Sequence, residues 1–191
     1  MSATAARLVE IAREILLAEG AAAVSMRRVA TAAGVTPMTI YRHFANREAL
    51  LATIADASFA EIAERWAARP AAADFDKRVT ELLDDHLDFA LGQPHLYDFV
   101  FTDPREGARR WPDDFRAGGS PSMNLVADAL TGGIRQGALR DQDVWPLALT
   151  VAALIHGLVQ LFRGGRIDLP EPDFRALVHQ LVGKVLDGNR A

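Results

Sequence analysis

The side chains best suited to act on a partner lie close together, at Thr36, Met38, Thr39, Tyr41 and Arg42. Ile40 and Phe44 stand four residues apart and share an inward helix face. Met38, Thr39, Tyr41 and Arg42 are left on the outer face. Hydroxyl, phenol and guanidinium groups there suit phosphate oxygens and base edges in a DNA major groove. One helix earlier, Ser25 and Arg28 can reach the flanking backbone. Arg42, if it reads a guanine, is the side chain that would carry sequence discrimination.

Two short helices must position these groups. Met26, Val29, Ala30 and Ala33 follow an i, i+3, i+4, i+7 spacing, the mark of an amphipathic helix. Ser25 is its N-cap, Val24 and Val29 form a hydrophobic staple, and Gly34 ends it. Thr36 caps the next helix, Pro37 fills its first position, and Val35 staples to Ile40. Two short helices joined by a glycine-containing turn make a helix-turn-helix. The same geometry equally describes an ordinary αα-corner with a solvated outer face. A third helix starts at Asn46.

The exact residues go further than the geometry. The run TAAGVTPMTIYRHFANREALL closely resembles the N-terminal DNA-binding domain of the tetracycline-repressor (TetR) family. The resemblance spans roughly 45 residues and rests on the Ala-x-x-Ala-Gly-Val run, the Ile-Tyr-Arg-His-Phe run and the Arg-Glu-x-Leu start of the third helix. It implies phosphate contacts by Tyr41, His43 and Arg47, with Arg47 standing where the family more often has lysine. It also implies a homodimer on a pseudo-palindromic double-stranded operator, usually a repressor released by a small-molecule effector. The expected division is a DNA-binding head over 1–48 and a ligand-binding and dimerisation body over 49–191.

Composition supports a helical chain. Half of the 191 residues are hydrophobic, and no β-branched alternation is bounded by hairpin turns, so an all-α fold is expected. There are no cysteines, which excludes disulfides and thiolate metal sites. The net charge of −4 divides unevenly: residues 1–50 hold six arginines against four glutamates, a net of +2, leaving −6 on the rest. An acidic body repels DNA except where the basic head docks. The first residues do not read as a signal peptide. No segment is expected to reach the charge-free apolar length of a membrane span; Val144 to Phe162, interrupted by Pro146, His156 and Gln160, reads as a core helix. A cytoplasmic protein with no membrane partner is the expectation.

Candidate sites in the body are less sharply drawn. Leu82 to Phe115 holds six of the chain's fourteen aromatics. His86, Phe89, Tyr97, Phe101 and Trp111 are expected to wall an apolar pocket, with Met123, His156 and Phe162 closing it from later helices. The alternative is that these groups simply fill a core. Asp84, Asp85, His86 and Asp88 do not share one helix face, which argues against a metal site. Gly157 inside an apolar helix implies close approach by another element. Val151, Ile155, Leu158, Phe174, Leu177, Leu181 and Val185 are expected to build a four-helix dimer interface. No nucleophile–base pair, P-loop, zinc motif or dinucleotide fingerprint is present, so neither catalytic residue, metal nor cofactor is expected. An all-α enzyme, or a DNA-binding protein that answers only to a protein partner, are the competing readings.

Overall fold

The computed structural model describes residues 1–68, 74–104 and 107–191. Ten α-helices account for nearly all regular structure among them; the one bridge of β type pairs Leu139 with Arg190. The expected stop at Arg69-Pro70 and the Ala71–Ala73 link fall outside the described residues.

Helix α1 spans Ala3–Glu19 and is capped by Ser2, whose hydroxyl accepts from the Ala5 amide. One 3₁₀ turn, Ala21–Ala23, leads to α2, Met26–Ala33. The α2 N-cap is Ser25, accepting from the Arg28 amide at 3.3 Å. Gly34 closes α2 in the left-handed region at φ 68°, which a residue without Cβ reaches without strain. Helix α3, Pro37–His43, begins with Pro37 behind the Thr36 cap. Helix α4 runs Arg47–Ala68, and Asn46 caps it by accepting from the Ala49 amide. Helix α5 is Phe75–Gly92, with Asp74 accepting from the Lys77 amide. Then come α6, Pro94–Tyr97, a π-helical turn over Asp98–Thr102, and the single turn α7, Asp113–Arg116. Helices α8 (Pro121–Arg135), α9 (Val144–Arg163) and α10 (Glu171–Asp187) complete the chain.

These elements group into two compact units. The first comprises Met1–Ile62 and Gly92–Arg109; the second comprises Ala63–Leu91 and Arg110–Ala191. The division therefore lies inside α4 rather than at residue 48, and a later segment joins the head. The physical reason is packing: α1 lies against α2, α3 and α6. Phe59 of α4 meets Phe101 edge-on at 5.6 Å, and Tyr97 sits 5.3 Å from Phe101. Leu8, Leu16, Val29, Ile40, Leu50 and Ile54 are completely or almost completely buried and form the head's core. Burial of an aliphatic side chain stabilises by roughly 1.5–3 kcal/mol.

In the second unit, α9 packs on α8 and α10. Phe162 of α9 stacks on Phe174 of α10 at 4.0 Å with rings 9° from parallel. By length and composition α9 is long and apolar enough to cross a membrane, contrary to the expectation from sequence. Only six of its twenty residues are buried within the chain. An apolar helix this uncovered leaves a face for something else.

Phe75 is nearly fully buried and lies on Gly133 of α8. A Cβ at Gly133 would come within 2.6 Å of the Phe75 ring. Alanine ordinarily stabilises a helix interior by roughly 1 kcal/mol over glycine. Here overpacking should reverse the sign, and Gly133→Ala should destabilise by about 1–3 kcal/mol in chemical denaturation. An unchanged or raised midpoint would refute this seating of Phe75.

Candidate nucleic-acid interface and effector cavity

The α3 surface is open. Met38 is 71% exposed and Tyr41 52% exposed, values that rule both out as core residues. Arg42 is exposed and His43 half-buried. Among the described residues, Tyr41, Arg42 and His43 make no hydrogen bond or ion pair within the chain. The Thr36 hydroxyl accepts from the Thr39 amide at 3.3 Å and lies 3.0 Å from the Thr39 hydroxyl. Thr36 and Thr39 thus share a hydrogen bond and still present one hydroxyl proton outward. The structure brings Thr36, Met38, Thr39, Tyr41, Arg42 and His43 onto one short helix and its cap.

Two of the nominated arginines are engaged elsewhere. Arg47 is not free for phosphate: its Nε donates to the Val24 carbonyl at 2.8 Å and its Nη2 to the Ala21 carbonyl at 2.6 Å. Its remaining terminal nitrogen lies 3.5 Å from Glu48. The guanidinium fork satisfies carbonyls of the α1–α2 connection, so Arg47 positions the head. Arg28 makes a two-pronged pair with Glu19, one arm at 2.9 Å. Hydrogen bonds from Arg28 hold the Glu19 carboxyl below the usual carboxylate range. Both side chains are largely exposed, so the pair is screened by salt and open to exchange with another anion. Arg27, which sequence reasoning passed over, is exposed on α2 and unengaged among the described residues. Nothing local in the sequence distinguishes it from Arg28, because the partner, Glu19, lies in a different helix.

In the second unit a cavity of about 60 Å³ opens among five helices. Trp66 of α4 lines it, with Val79, Leu82, Leu83 and His86 of α5. Val126, Ala129 and Leu130 of α8, Val151 and Ile155 of α9, and Val182 and Leu186 of α10 close it. No carboxylate, lysine or arginine is among these walls. His86 lies between two rings, 5.7 Å from Trp66 and 5.4 Å from His156. Burial pushes the His86 imidazole down to about 3, with nearby His156 adding to the shift, and burial pushes His156 down to about 4. Both rings are therefore neutral near pH 7, hydrogen-bonding groups rather than charges.

The expected aromatic wall is divided differently. Tyr97 and Phe101 pack with Phe59 in the first unit and do not line this cavity, because the α6 segment folds onto α1. Phe89 is buried in the second unit outside the lining set. Trp111 pairs with Phe115 at 6.0 Å and is still partly exposed. Phe162 is occupied with Phe174, and Met123 is half-buried on α8 beside the lining residues rather than among them. Of the nominated pocket groups, His86 lines the cavity and His156 stands directly behind it. Trp66, Leu130 and Val182 were missed. Their helical phase marks them as core, but core and cavity wall carry the same apolar signal.

The dimer set also shifts. Val151, Ile155, Leu158 and Phe174 are buried within the chain's own second unit, so they are not available as an outer face. The apolar stripe left uncovered by this chain is the next one round. On α10, Leu177, Leu181 and Val185 are half-buried; on α9, Leu154 is half-buried and Ala153, Gly157 and Leu161 are exposed. A Cβ at Gly157 meets nothing within 4 Å, so no element among the described residues explains that glycine.

With this geometry in hand, comparison with known proteins is decisive on family. A model described as "Tetracyclin repressor-like, C-terminal domain" matches residues 79–185, and one described as "Bacterial regulatory proteins, tetR family" matches residues 8–54. The chain belongs to the TetR family of transcriptional regulators. HTH-type transcriptional regulators of Mycobacterium tuberculosis and Mycobacterium bovis are 25% identical over 141 residues, 72% of this chain. The chain matches over 60% of the length of these curated relatives. A Rhodococcus sp. RHA1 protein of unknown function superposes with TM-score 0.79 at 25% identity, covering 100% of this chain and 97% of its own. FadR from Bacillus subtilis, in complex with stearoyl-CoA, gives TM-score 0.72 at 19% identity, covering 96% and 98%. A Saccharomonospora viridis protein in complex with choline gives 0.75 at 21% identity, covering 96% and 97%. Helix α3 lies within the matched N-terminal residues, and all the cavity's lining residues except Trp66 and Leu186 lie within the matched C-terminal residues.

The two neutral histidines carry a pH signature. Their folded pKa values lie below the unfolded value near 6.5, so between about pH 4 and 6.5 the unfolded chain binds more protons. Their contribution to stability is complete above pH 6.5 and is lost as pH falls. Each titrating histidine gives a slope of roughly 1.4 kcal/mol per pH unit. A His86→Leu, His156→Leu double variant should show a flatter fall in melting temperature from pH 7 to 4.5 than the unaltered chain. Parallel profiles would show that these rings are not buried neutral groups.

Proposed function

We propose that this TetR-family regulator is a DNA-binding repressor, released from a pseudo-palindromic operator by a small apolar or aromatic molecule. The carrying observation is the α3 surface, with Met38, Tyr41 and Arg42 outward and the last two unengaged among the described residues. In this reading Met38, Thr39 and Arg42 meet base edges, while Ser25, Thr36, Tyr41 and His43 hold phosphates. Arg28 joins them by exchanging Glu19 for a phosphate.

The effector's chemistry follows from the cavity walls. Stearoyl-CoA in FadR and choline in the S. viridis protein are unlike ligands, so shared fold does not select the effector. The walls here are apolar around one imidazole, and a charged group would enter without a counter-charge. An uncharged molecule with one or two hydrogen-bonding groups fits. At about 60 Å³ the cavity is well below the roughly 300–1,000 Å³ of ordinary ligand sites. The effector must therefore select a widened second unit. It acts as a switch only in so far as it binds the operator-incompetent state more tightly. Helix α4 supplies residues to both units and is one covalent link through which widening would be transmitted.

Selection from a random duplex library, followed by a thermal-shift screen of uncharged aromatic and aliphatic compounds, tests the reading. Arg42→Ala should cost about 1–3 kcal/mol on the selected site and much less on random DNA. Compounds that raise the melting temperature should release the selected DNA, and His86→Phe should alter that response. Failure to enrich any sequence would sink the DNA-binding reading. Stabilising compounds that leave DNA bound would sink the effector reading, and turnover of such a compound would favour an enzyme.

Homodimerisation is the second part of the proposal, supported by the uncovered apolar stripe of α9 and α10. Two recognition helices on successive major grooves must stand about 34–36 Å apart, which one chain cannot supply. Light scattering at micromolar concentration should give twice the chain mass. Gly157→Leu adds bulk where this chain has open space, so it should leave the protomer folded and shift the mass towards monomer. A monomeric unaltered chain would end this model.

A further inference from the structure

A second surface of the head carries an unused cation. A groove of about 280 Å³ is lined by Ala3, Thr4, Arg7 and Leu8 of α1 and by Ala33 and Val35. Ala33 and Val35 flank Gly34, the turn that delivers α3, and Val35 directly precedes the Thr36 cap. Consecutive Cα atoms are 3.8 Å apart, so the groove begins one residue from the phosphate-facing cap of the recognition helix.

Arg7 differs from three other arginines of the head. Arg13 is bonded to Glu61 at 2.8 Å, Arg28 to Glu19, and Arg47 to two backbone carbonyls. Arg7 is exposed and, among the described residues, has no hydrogen bond or ion pair; Glu10, one turn on, does not engage it. The apolar walls suit its methylene stem, leaving the guanidinium at the groove mouth. Thr4 adds an exposed hydroxyl.

We infer that this groove seats the sugar-phosphate backbone of duplex DNA beside the half-site entered by α3, with Arg7 neutralising one phosphate and Thr4 donating to it. The inference rests on the reading of α3 as the recognition helix and extends the interface to α1. Continuity with the Thr36 cap and the positive charge of an otherwise apolar groove select a polyanion over an apolar molecule. The contact is to backbone, so it adds affinity on every sequence and discriminates between none.

Fluorescence anisotropy with a labelled 30-bp random-sequence duplex, from 50 to 200 mM NaCl, is the test. Binding should weaken with salt as a straight line of log K against log[salt], by about one unit of slope per neutralised phosphate. Arg7→Gln should lower that slope by about one for each bound subunit and weaken binding several-fold, equally on random and selected DNA. Arg7→Lys should restore the slope. Arg166→Gln, an exposed arginine in the α9–α10 connection, should leave it unchanged. Arg7→Gln with the unaltered slope and affinity overturns this inference alone, as does an equal loss in Arg166→Gln. No binding by the unaltered chain at 50 mM NaCl overturns the recognition-helix reading as well.

Discussion

The geometry of the head depends on one guanidinium. Arg47, at the first position of α4, donates to the carbonyls of Ala21 and Val24 in the connection between α1 and α2. Ala21 opens the short 3₁₀ turn, where its carbonyl also accepts from the Val24 amide, and Val24 closes it. Supplying charge-assisted donors to them ties the start of α4 to the entry of α2. Helix α3 is the short element bracketed by these two anchored ends. Its seven residues are too few to be stable alone, so packing of Ile40 and the Thr36 cap must hold it. An outward face of Met, Tyr and Arg is then displayed on a rigid base, which a recognition surface requires.

The second unit is organised by a different constraint, the desolvation of two imidazoles. Neither His86 nor His156 can be charged cheaply where it lies, so the pair behaves as polar wall rather than as a cationic site. A small cavity beside His86 persists because Trp66 and the aliphatic chains of four other helices do not fully interdigitate there. Such a gap forfeits dispersion contacts, and a ligand that fills it recovers them. In the proposed effector reading, apolar walls and neutral imidazoles disfavour a charged ligand before any shape argument is made.

The charge distribution fits both units. Basic groups in the head are sorted by partner: Arg13, Arg28 and Arg47 are held by this chain, while Arg7, Arg27 and Arg42 are exposed and unengaged among the described residues. Within residues 1–50, Glu19 faces Arg28 and Glu48 faces Arg47, so the positive charge open to a polyanion rests on Arg7, Arg27 and Arg42.

The sequence by itself determined the helical fold, the caps at Ser25 and Thr36, the stop at Gly34, and which residues of α3 face outward. All of these are local: a cap reaches three residues and a helix face repeats every three or four. The motif also sufficed for the family. The tertiary structure alone decided what depends on distant partners. Arg47 proved to bind carbonyls twenty-three and twenty-six residues away, and Arg28 a glutamate on another helix. Tyr97 and Phe101 joined Phe59 rather than His86, because an aromatic cluster in sequence says nothing about which core receives it. Val151 and Ile155 became cavity wall and Leu177 and Leu181 outer stripe, a difference of helix phase against neighbours that periodicity cannot assign. Periodicity reports that a face is apolar; only packing reports what covers it.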